Sequence, residues 1–279
     1  MRRWVPLLLL CALATSAGAA GPKPGLWGRY LLAYSSCDQA GASCREQLTQ
    51  SADGLRWSPV VGVPSRPGSR PAVVRRGSRL YLFDGPVVRR FTVSRTAVTE
   101  LPAATLQLDS GEPLAGEDAI LDPSGALVLV YTVPSADGSG EALRTATEVA
   151  GSDGVSFTAD PGQRAVLAPD AGPPTVLLGR SGWVVLVADG TCLRALAAGN
   201  VHGGYRDTGC LTSPAPVTSP TGYWNARLHE YWLYGLSGGD LRRAVAPKVN
   251  APIASKRWRR LPGLATTGKT IQAVDFARS

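Results

Sequence analysis

A short motif recurs along the chain at nearly constant intervals. Residues 51–57 (Ser-Ala-Asp-Gly-Leu-Arg-Trp) return as residues 151–157 (Gly-Ser-Asp-Gly-Val-Ser-Phe) and, in degenerate form, as residues 254–258 (Ala-Ser-Lys-Arg-Trp). The aromatic residues stand at positions 57, 157 and 258, so the intervals are 100 and 101 residues. Asp-Gly favours a tight turn because both residues tolerate positive φ, and the aromatic residue can then begin a strand. We therefore predict that the motif marks alternate units of about 50 residues. The predicted structural turn residues are Asp53, Gly54, Trp57, Asp153, Gly154 and Phe157.

A second repeat consists of two apolar segments separated by a small polar turn. The second segments begin near Leu80, Leu127, Trp183 and Tyr231, in steps of 47, 56 and 48 residues. About 50 residues before Leu80, residues 30–34 have the pattern of the second segment of a unit, but no first segment precedes them. Residues 270–276 have the pattern of a first segment, but no second segment follows them. A closed ring explains both, because the last strand can fill the innermost place of the first unit and protect the sheet edges.

The sequence thus predicts an all-β chain, with little that is typical of helix. The expected fold is a five-bladed β-propeller with about 50 residues per blade and the C-terminal strand closing the first blade.

The first residues have the pattern of a secretory signal. Arg2 and Arg3 precede an apolar run over residues 4–13, and small residues follow up to Ala20. We predict a signal peptide over 1–19, a single propeller domain over 20–279, and a secreted or periplasmic protein. Cys11 is expected to leave with the signal rather than to carry a lipid, because the Leu10 before it is not small. No later stretch is apolar and long enough to predict a membrane span.

Four cysteines remain after that cleavage. An even number in a secreted chain predicts disulfides, and we favour the local pairs Cys37–Cys44 and Cys192–Cys210 over the two other pairings. The chain has no CxxC motif and only two histidines, so neither a metal site nor a cofactor is predicted.

The chain is basic, but its charge is scattered. The formal net charge is +8, and loss of Arg2 and Arg3 leaves 27 basic and 21 acidic residues, or +6. Only residues 256–260 (Lys-Arg-Trp-Arg-Arg) form a patch. Such a cluster could touch nucleic acid or an anionic glycan, but we favour a solvated strand edge whose charges discourage edge pairing. We expect a monomer without a nucleic-acid partner.

The repeat pattern resembles two groups of carbohydrate-active propellers over most of residues 25–279. The inner strand, turn and Leu/Tyr-rich strand followed by Ser-x-Asp-Gly-x-x-Trp/Phe resemble the five-bladed glycoside hydrolases of the arabinanase/xylosidase kind. The turns are also similar to a shortened Asp-box of sialidases, which has one more residue before its aromatic. In both groups such turns are structural, so they bear on the fold more than on the function.

The glycoside hydrolase resemblance implies catalytic carboxylates on the inner strands. Hydrolysis needs at least two, one protonated and one ionised. The expected Asp-Pro is replaced by Arg70-Pro71 in the second blade, Pro173-Pro174 in the fourth and Tyr223-Trp224 in the fifth. The remaining catalytic candidates are Asp118, Glu117 and Asp275, with Glu112 a weaker one.

The candidate ligand-binding residues are Arg70, Tyr223 and Trp224. Their aromatic rings could stack on a sugar or simply pack between blades. A sialidase would use Arg70-Pro71 for a carboxylate substrate, with Tyr223 and Glu112 as partners.

Three functions follow from this sequence. The first is a propeller that binds a glycan or another small polar ligand in its central channel without catalysis. The second is an active exo-acting glycoside hydrolase, and the third is a non-catalytic scaffold for protein partners.

Overall fold

The computed structural model describes residues 25–38, 43–190, 192–212, 217–249, 251–254, 257–261, 264 and 270–278. The predicted signal peptide and positions 255 and 256 of the third motif lie outside these residues. No helix in the described part of the chain is long and apolar enough to cross a membrane.

Five antiparallel sheets form the blades. The first contains β1 (Tyr30–Cys37), β2 (Cys44–Ser51), β3 (Ser58–Pro59) and β4 (Arg66–Pro67), together with β24 (Thr270–Arg278). The second contains β5 (Ala72–Arg76), β6 (Arg79–Asp84), β7 (Val87–Val93), β8 (Val98–Glu100) and β9 (Ala104–Thr105). The third contains β10 (Gln107–Leu108), β11 (Ala115–Leu121), β12 (Leu127–Pro134), β13 (Glu141–Glu148), β14 (Ser156–Ala159) and β15 (Ala165–Leu167).

The last two blades have four strands each. The fourth contains β16 (Thr175–Leu178), β17 (Trp183–Ala188), β18 (Leu193–Ala198) and β19 (Arg206–Thr212). The fifth contains β20 (Thr218–Asn225), β21 (Glu230–Ser237), β22 (Asp240–Ala246) and β23 (Arg259–Arg260). In the first three blades the outermost strand is split into two short pieces that pair with the same neighbour. The parallel pairing of β10 with β14 is a further departure from a four-stranded blade.

The predicted ring closure is confirmed. Strand β24 pairs antiparallel with β1, with Leu31 opposite Ala277 and Tyr34 opposite Val274. The inner strands β24, β5, β11, β16 and β20 contact one another in this order, and β20 returns to β24. The chain is therefore an all-β, five-bladed propeller closed by its two ends.

The core lies between the blades. The described residues form five hydrophobic clusters, and each cluster joins two neighbouring blades. The second strand of each blade has a continuous apolar sequence because both of its faces are covered by adjacent sheets. All eight residues of β1 and the inner positions of β12 and β17 are buried in this way.

Two disulfides are present, as predicted. Cys37 is bonded to Cys44 across the β1–β2 hairpin, and Cys192 is bonded to Cys210 between the β18 and β19 segments.

Each repeated turn docks its aromatic residue on the preceding blade of the ring. Trp57 of the first blade packs edge-on against Tyr234 of the fifth, and Phe157 of the third packs edge-on against Phe83 of the second. Trp258 of the fifth blade is buried in the cluster between the fourth and fifth blades. Within the first turn, the Asp53 carboxylate accepts hydrogen bonds from the backbone N–H of residues 55 and 56, at 2.8 and 2.9 Å.

Gly54 gives a test of this docking. Its φ is +71°, and an added Cβ would lie 2.8 Å from the Trp232 ring and 2.9 Å from the Tyr234 hydroxyl. Gly138 has a similar φ of +69° but no atom within 4 Å of an added Cβ. Gly54→Ala should therefore lower the free energy of unfolding by about 1–3 kcal/mol more than Gly138→Ala, since only the first adds overpacking to the backbone strain. Urea denaturation measures both, and equal losses would contradict the inter-blade docking.

Candidate functional site

One end of the central channel collects the predicted carboxylates. Glu117 and Asp118 on β11 and Asp275 on β24 line a small cavity together with Arg70, which precedes β5. We call it the acid-end cavity. Its walls include Pro71, Pro173 and Pro174, and its volume is about 30 Å³. That is room for roughly one or two water molecules.

Asp118 and Asp275 hold neighbouring blades together. The Asp118 Oδ2 accepts a 2.6 Å hydrogen bond from the Val176 N–H of the fourth blade, and its Oδ1 accepts from the Ala119 N–H at 2.7 Å. The Asp275 Oδ2 accepts a 2.6 Å bond from the Val73 N–H of the second blade, and its Oδ1 accepts from the Thr221 hydroxyl of the fifth at 3.2 Å. Both carboxylates thus satisfy inner-strand donors across blade boundaries.

The electrostatics of Asp118 differ from those of a surface carboxylate. Burial raises the pKa of Asp118 well above its usual range, and the nearby Asp275 raises it further. The two backbone N–H donors oppose this rise in pKa but do not cancel it.

Glu117 is also buried, and burial raises its pKa. Its Oε1 accepts a short hydrogen bond from the Gly85 N–H of the second blade. The Arg70 side chain is exposed at the rim, and its backbone N–H donates to Asp84 at 2.9 Å. The structure therefore brings Arg70 together with all three predicted carboxylates.

Tyr223 and Trp224 lie at the opposite end of the channel. They line a cavity of about 390 Å³, together with Arg75, Leu178 and Gly179. We call it the Trp224 pocket. The separation follows from the strand direction: β20 starts near Ser219, which lines the acid-end cavity, and ends beyond Trp224. The three predicted ligand-binding residues therefore do not form one site.

The two aromatic residues have different environments. Tyr223 is buried and packs between Tyr30 and Trp232, with ring centroids 5.0 and 5.5 Å away, and burial raises its pKa. Trp224 is half-buried and packs against Tyr231 at 4.7 Å and His229 at 6.3 Å. Only Trp224 thus keeps exposed ring surface in the pocket.

The partners of a sialidase mechanism are not assembled. Arg70 and Tyr223 line opposite ends of the channel. The Glu112 carboxylate accepts from the Tyr131 hydroxyl at 2.8 Å and forms an ion pair with Arg144 at 3.1 Å.

Sequence reasoning missed two features of the channel. Arg75 lies in a strand–turn repeat, where nothing marked it as a pocket residue. The proline pairs were noted only as positions without an acid, although they help to wall the acid-end cavity. Among the described residues, no group of three or more His, Cys, Asp or Glu side chains could hold a metal ion.

No protein-family model and no curated protein sequence matches this chain. Solved structures do match it. A β-xylosidase, RS223, superposes with a TM-score of 0.53 and 10% identity, covering 91% of this chain and 94% of that one. An engineered GH43 glycoside hydrolase with endo-xylanase and exo-arabinofuranosidase activity gives 0.54 and 14%, covering 78% of this chain and 48% of that one.

The chain has the five-bladed propeller fold of these glycoside hydrolases. An endo-1,5-α-L-arabinanase from Thermotoga petrophila RKU-1 also matches, with a TM-score of 0.46 and 13% identity, covering 65% of this chain and 52% of that one. This chain spans about half the length of the arabinanase and of the engineered enzyme. The fold agrees with the first of the two resemblances in the sequence, that to arabinanases and xylosidases.

The raised pKa of Asp118 gives a pH-dependent prediction. A carboxyl group whose pKa is higher in the folded than in the unfolded state stabilises the fold at low pH, and this contribution is lost as pH rises from the unfolded to the folded pKa. Asp118→Asn removes the titration. The destabilisation that it causes should therefore shrink as pH rises above about 4, by at most about 1.4 kcal/mol per pH unit. Urea unfolding of both proteins between pH 4 and pH 8 measures it, and a cost that grows with pH would contradict the prediction.

Proposed function

We propose that this protein is a saccharide-binding propeller that holds a small sugar in the Trp224 pocket and does not hydrolyse it. The single observation behind this proposal is the contrast between the two ends of the channel. The acid end offers about 30 Å³ and the Trp224 end about 390 Å³. Only the second falls within the usual size of ligand pockets, about 300–1,000 Å³.

The acid-end carboxylates are poorly suited to glycoside hydrolysis. A hydrolase needs one carboxylic acid that reaches the leaving oxygen and one carboxylate that reaches the sugar carbon or a water beside it. Both oxygens of Asp118 and of Asp275 already accept hydrogen bonds from the inner strands. A sugar ring would have to displace prolines and break contacts between blades.

The Trp224 pocket has the chemistry of a sugar site. The partly exposed Trp224 indole offers a flat apolar face for the C–H groups of a sugar ring. Arg75, whose Nε donates to the Gly77 carbonyl at 2.9 Å, adds a fixed cation that can donate to hydroxyl oxygens. Val73, Val74 and Leu178 supply apolar walls.

An active glycoside hydrolase is the second candidate function. The raised pKa of Asp118 favours it, because a protonated carboxyl group is what a general acid must be. In that case Asp118 would be the acid, with Asp275 or Glu117 as its ionised partner.

We also infer that the protein is secreted. Two disulfides favour an oxidising compartment. The charged and apolar pattern of residues 1–19 supports export.

Trp224→Ala tests the pocket. Loss of the stacking face should weaken binding of arabinotriose or xylotriose about tenfold, which is about 1.4 kcal/mol. Trp27→Ala is the matched control, because Trp27 is 38% exposed and does not line the channel. Isothermal titration calorimetry measures both. Unchanged affinity in Trp224→Ala, or an equal loss in the control, would reject the Trp224 pocket.

Hydrolysis is tested with a panel of aryl glycosides. We expect no release of the aryl group above the level of the Asp118→Asn/Asp275→Asn double variant. Turnover by the wild-type protein that the double variant loses would instead support the glycoside hydrolase, and turnover that survives would remove both residues from the candidates.

A further inference from the structure

A wide basic groove lies between the fifth blade and the first repeated turn. Its walls come from Leu55 of that turn, Leu228 of the β20–β21 turn, Glu230 at the start of β21, Arg243 of β22, Arg257 before β23 and Arg259 in β23. Its volume is about 970 Å³. Four arginines line it against one glutamate, since Arg260 also reaches it. We call it the arginine groove.

The strand register places like charges together. Arg243 lies directly opposite Arg259 in the β22–β23 pair, so both side chains project from the same face. Like charges in such positions repel and destabilise a sheet. The next pair, Arg242 and Arg260, has an acidic partner, because Arg260 forms a 2.9 Å ion pair with Asp240. For Arg243, Arg257 and Arg259, the described residues provide no ion pair.

Arg243 is held in place without being neutralised. Its guanidinium carbon lies 3.6 Å from the centroid of the Trp232 ring, and the Trp232 Nε1 donates to Glu230 at 2.6 Å. The Nε of Arg243 is buried, and no acceptor for it occurs in the part of the chain that the structure describes. The buried Nε is not accessible to a ligand, but the guanidinium lines the groove, and its terminal N–H groups are suited to bind an oxyanion through paired hydrogen bonds.

We infer that the arginine groove binds an acidic polysaccharide. The guanidinium groups of Arg243, Arg257 and Arg259 pair with its carboxylate or sulfate groups. Leu55 and Leu228, which are 38% and 53% exposed, meet the C–H faces of its sugar rings. The mixture of arginines, leucines and one glutamate suits a chain in which charged groups alternate with hydroxyls and apolar ring faces.

A nucleic acid fits the groove less well. Single strands are held largely by stacking of bases on exposed aromatic rings. The Trp232 ring is covered by Arg243 and is only 8% exposed. The Glu230 carboxylate would also repel the closely spaced phosphates of a nucleic-acid backbone. The two disulfides also favour an extracellular compartment, where acidic polysaccharides are available.

The groove is separate from the acid-end cavity and from the Trp224 pocket. It adjoins the end of β20 that is remote from Ser219, and it shares no lining residue with either cavity. The inference therefore does not depend on the function proposed for the channel.

Binding of a heparin-derived sulfated hexasaccharide and of trigalacturonate tests the inference. Arg257→Gln/Arg259→Gln removes two exposed groove charges, and Arg95→Gln/Arg206→Gln removes two exposed charges that do not line the groove. Calorimetry should show saturable binding to the wild-type protein that weakens as salt rises. The groove variant should lose about tenfold or more in affinity, and the control less than about twofold.

Three results would overturn the inference. The first is no saturable binding of either acidic oligosaccharide. The second is an equal loss in groove and control variants, since it would assign the binding to net charge alone. The third is tighter binding of a 20-nucleotide single-stranded DNA that the groove variant also loses, because it would identify a nucleic-acid site.

Discussion

The pairing of the last strand with the first is the contact on which the rest of the structure depends. Without β24, the first blade would present the unpaired edge of β1 to the channel, and the ring would be open between the fifth and second blades. The same strand carries Asp275, which bonds to Val73 and Thr221 on either side. Closure therefore supplies an inner strand and also the hydrogen bonds that hold its two neighbours at the axis.

Hydrophobic packing joins neighbouring blades at all five blade boundaries. Each hydrophobic cluster is shared by two sheets, and the aromatic residues of the repeated turns extend it outward. Charged side chains supplement this packing in places: Arg89 of the second blade forms a buried ion pair with Glu46 of the first. Because such a pair costs desolvation, it specifies how two blades meet more than it stabilises them. The blades pack against one another around a central axis. The channel is the space along that axis that the side chains of the inner strands do not fill.

The two ends of the channel differ in size and in the chemistry of their walls. At one end, the carboxylates of Asp118, Glu117 and Asp275 accept hydrogen bonds from backbone N–H groups, and prolines help to wall the cavity. At the other end, a cavity of about 390 Å³ lies beside Trp224. The carboxylates at the acid end therefore serve contacts between blades, whereas the larger opening of the channel lies at the other end. The arginine groove, on the outer part of the fifth blade, adds a third surface with its own charge.

The sequence alone determined the architecture, because strand periodicity, turn chemistry and the unpaired segments at 30–34 and 270–276 are local signals that only a ring satisfies. The even cysteine count and short spacings likewise indicated the local pairs. Which inner-strand residues share a cavity was decided only by the tertiary structure. Arg70 and Trp224 were both assigned to the channel, yet strand direction sends them to opposite ends. Arg259 and Arg260 form the exposed edge strand that the sequence indicated, but only the strand register shows that Arg259 lies opposite Arg243. Contacts between distant residues depend on register and blade docking, and no local pattern encodes those distances.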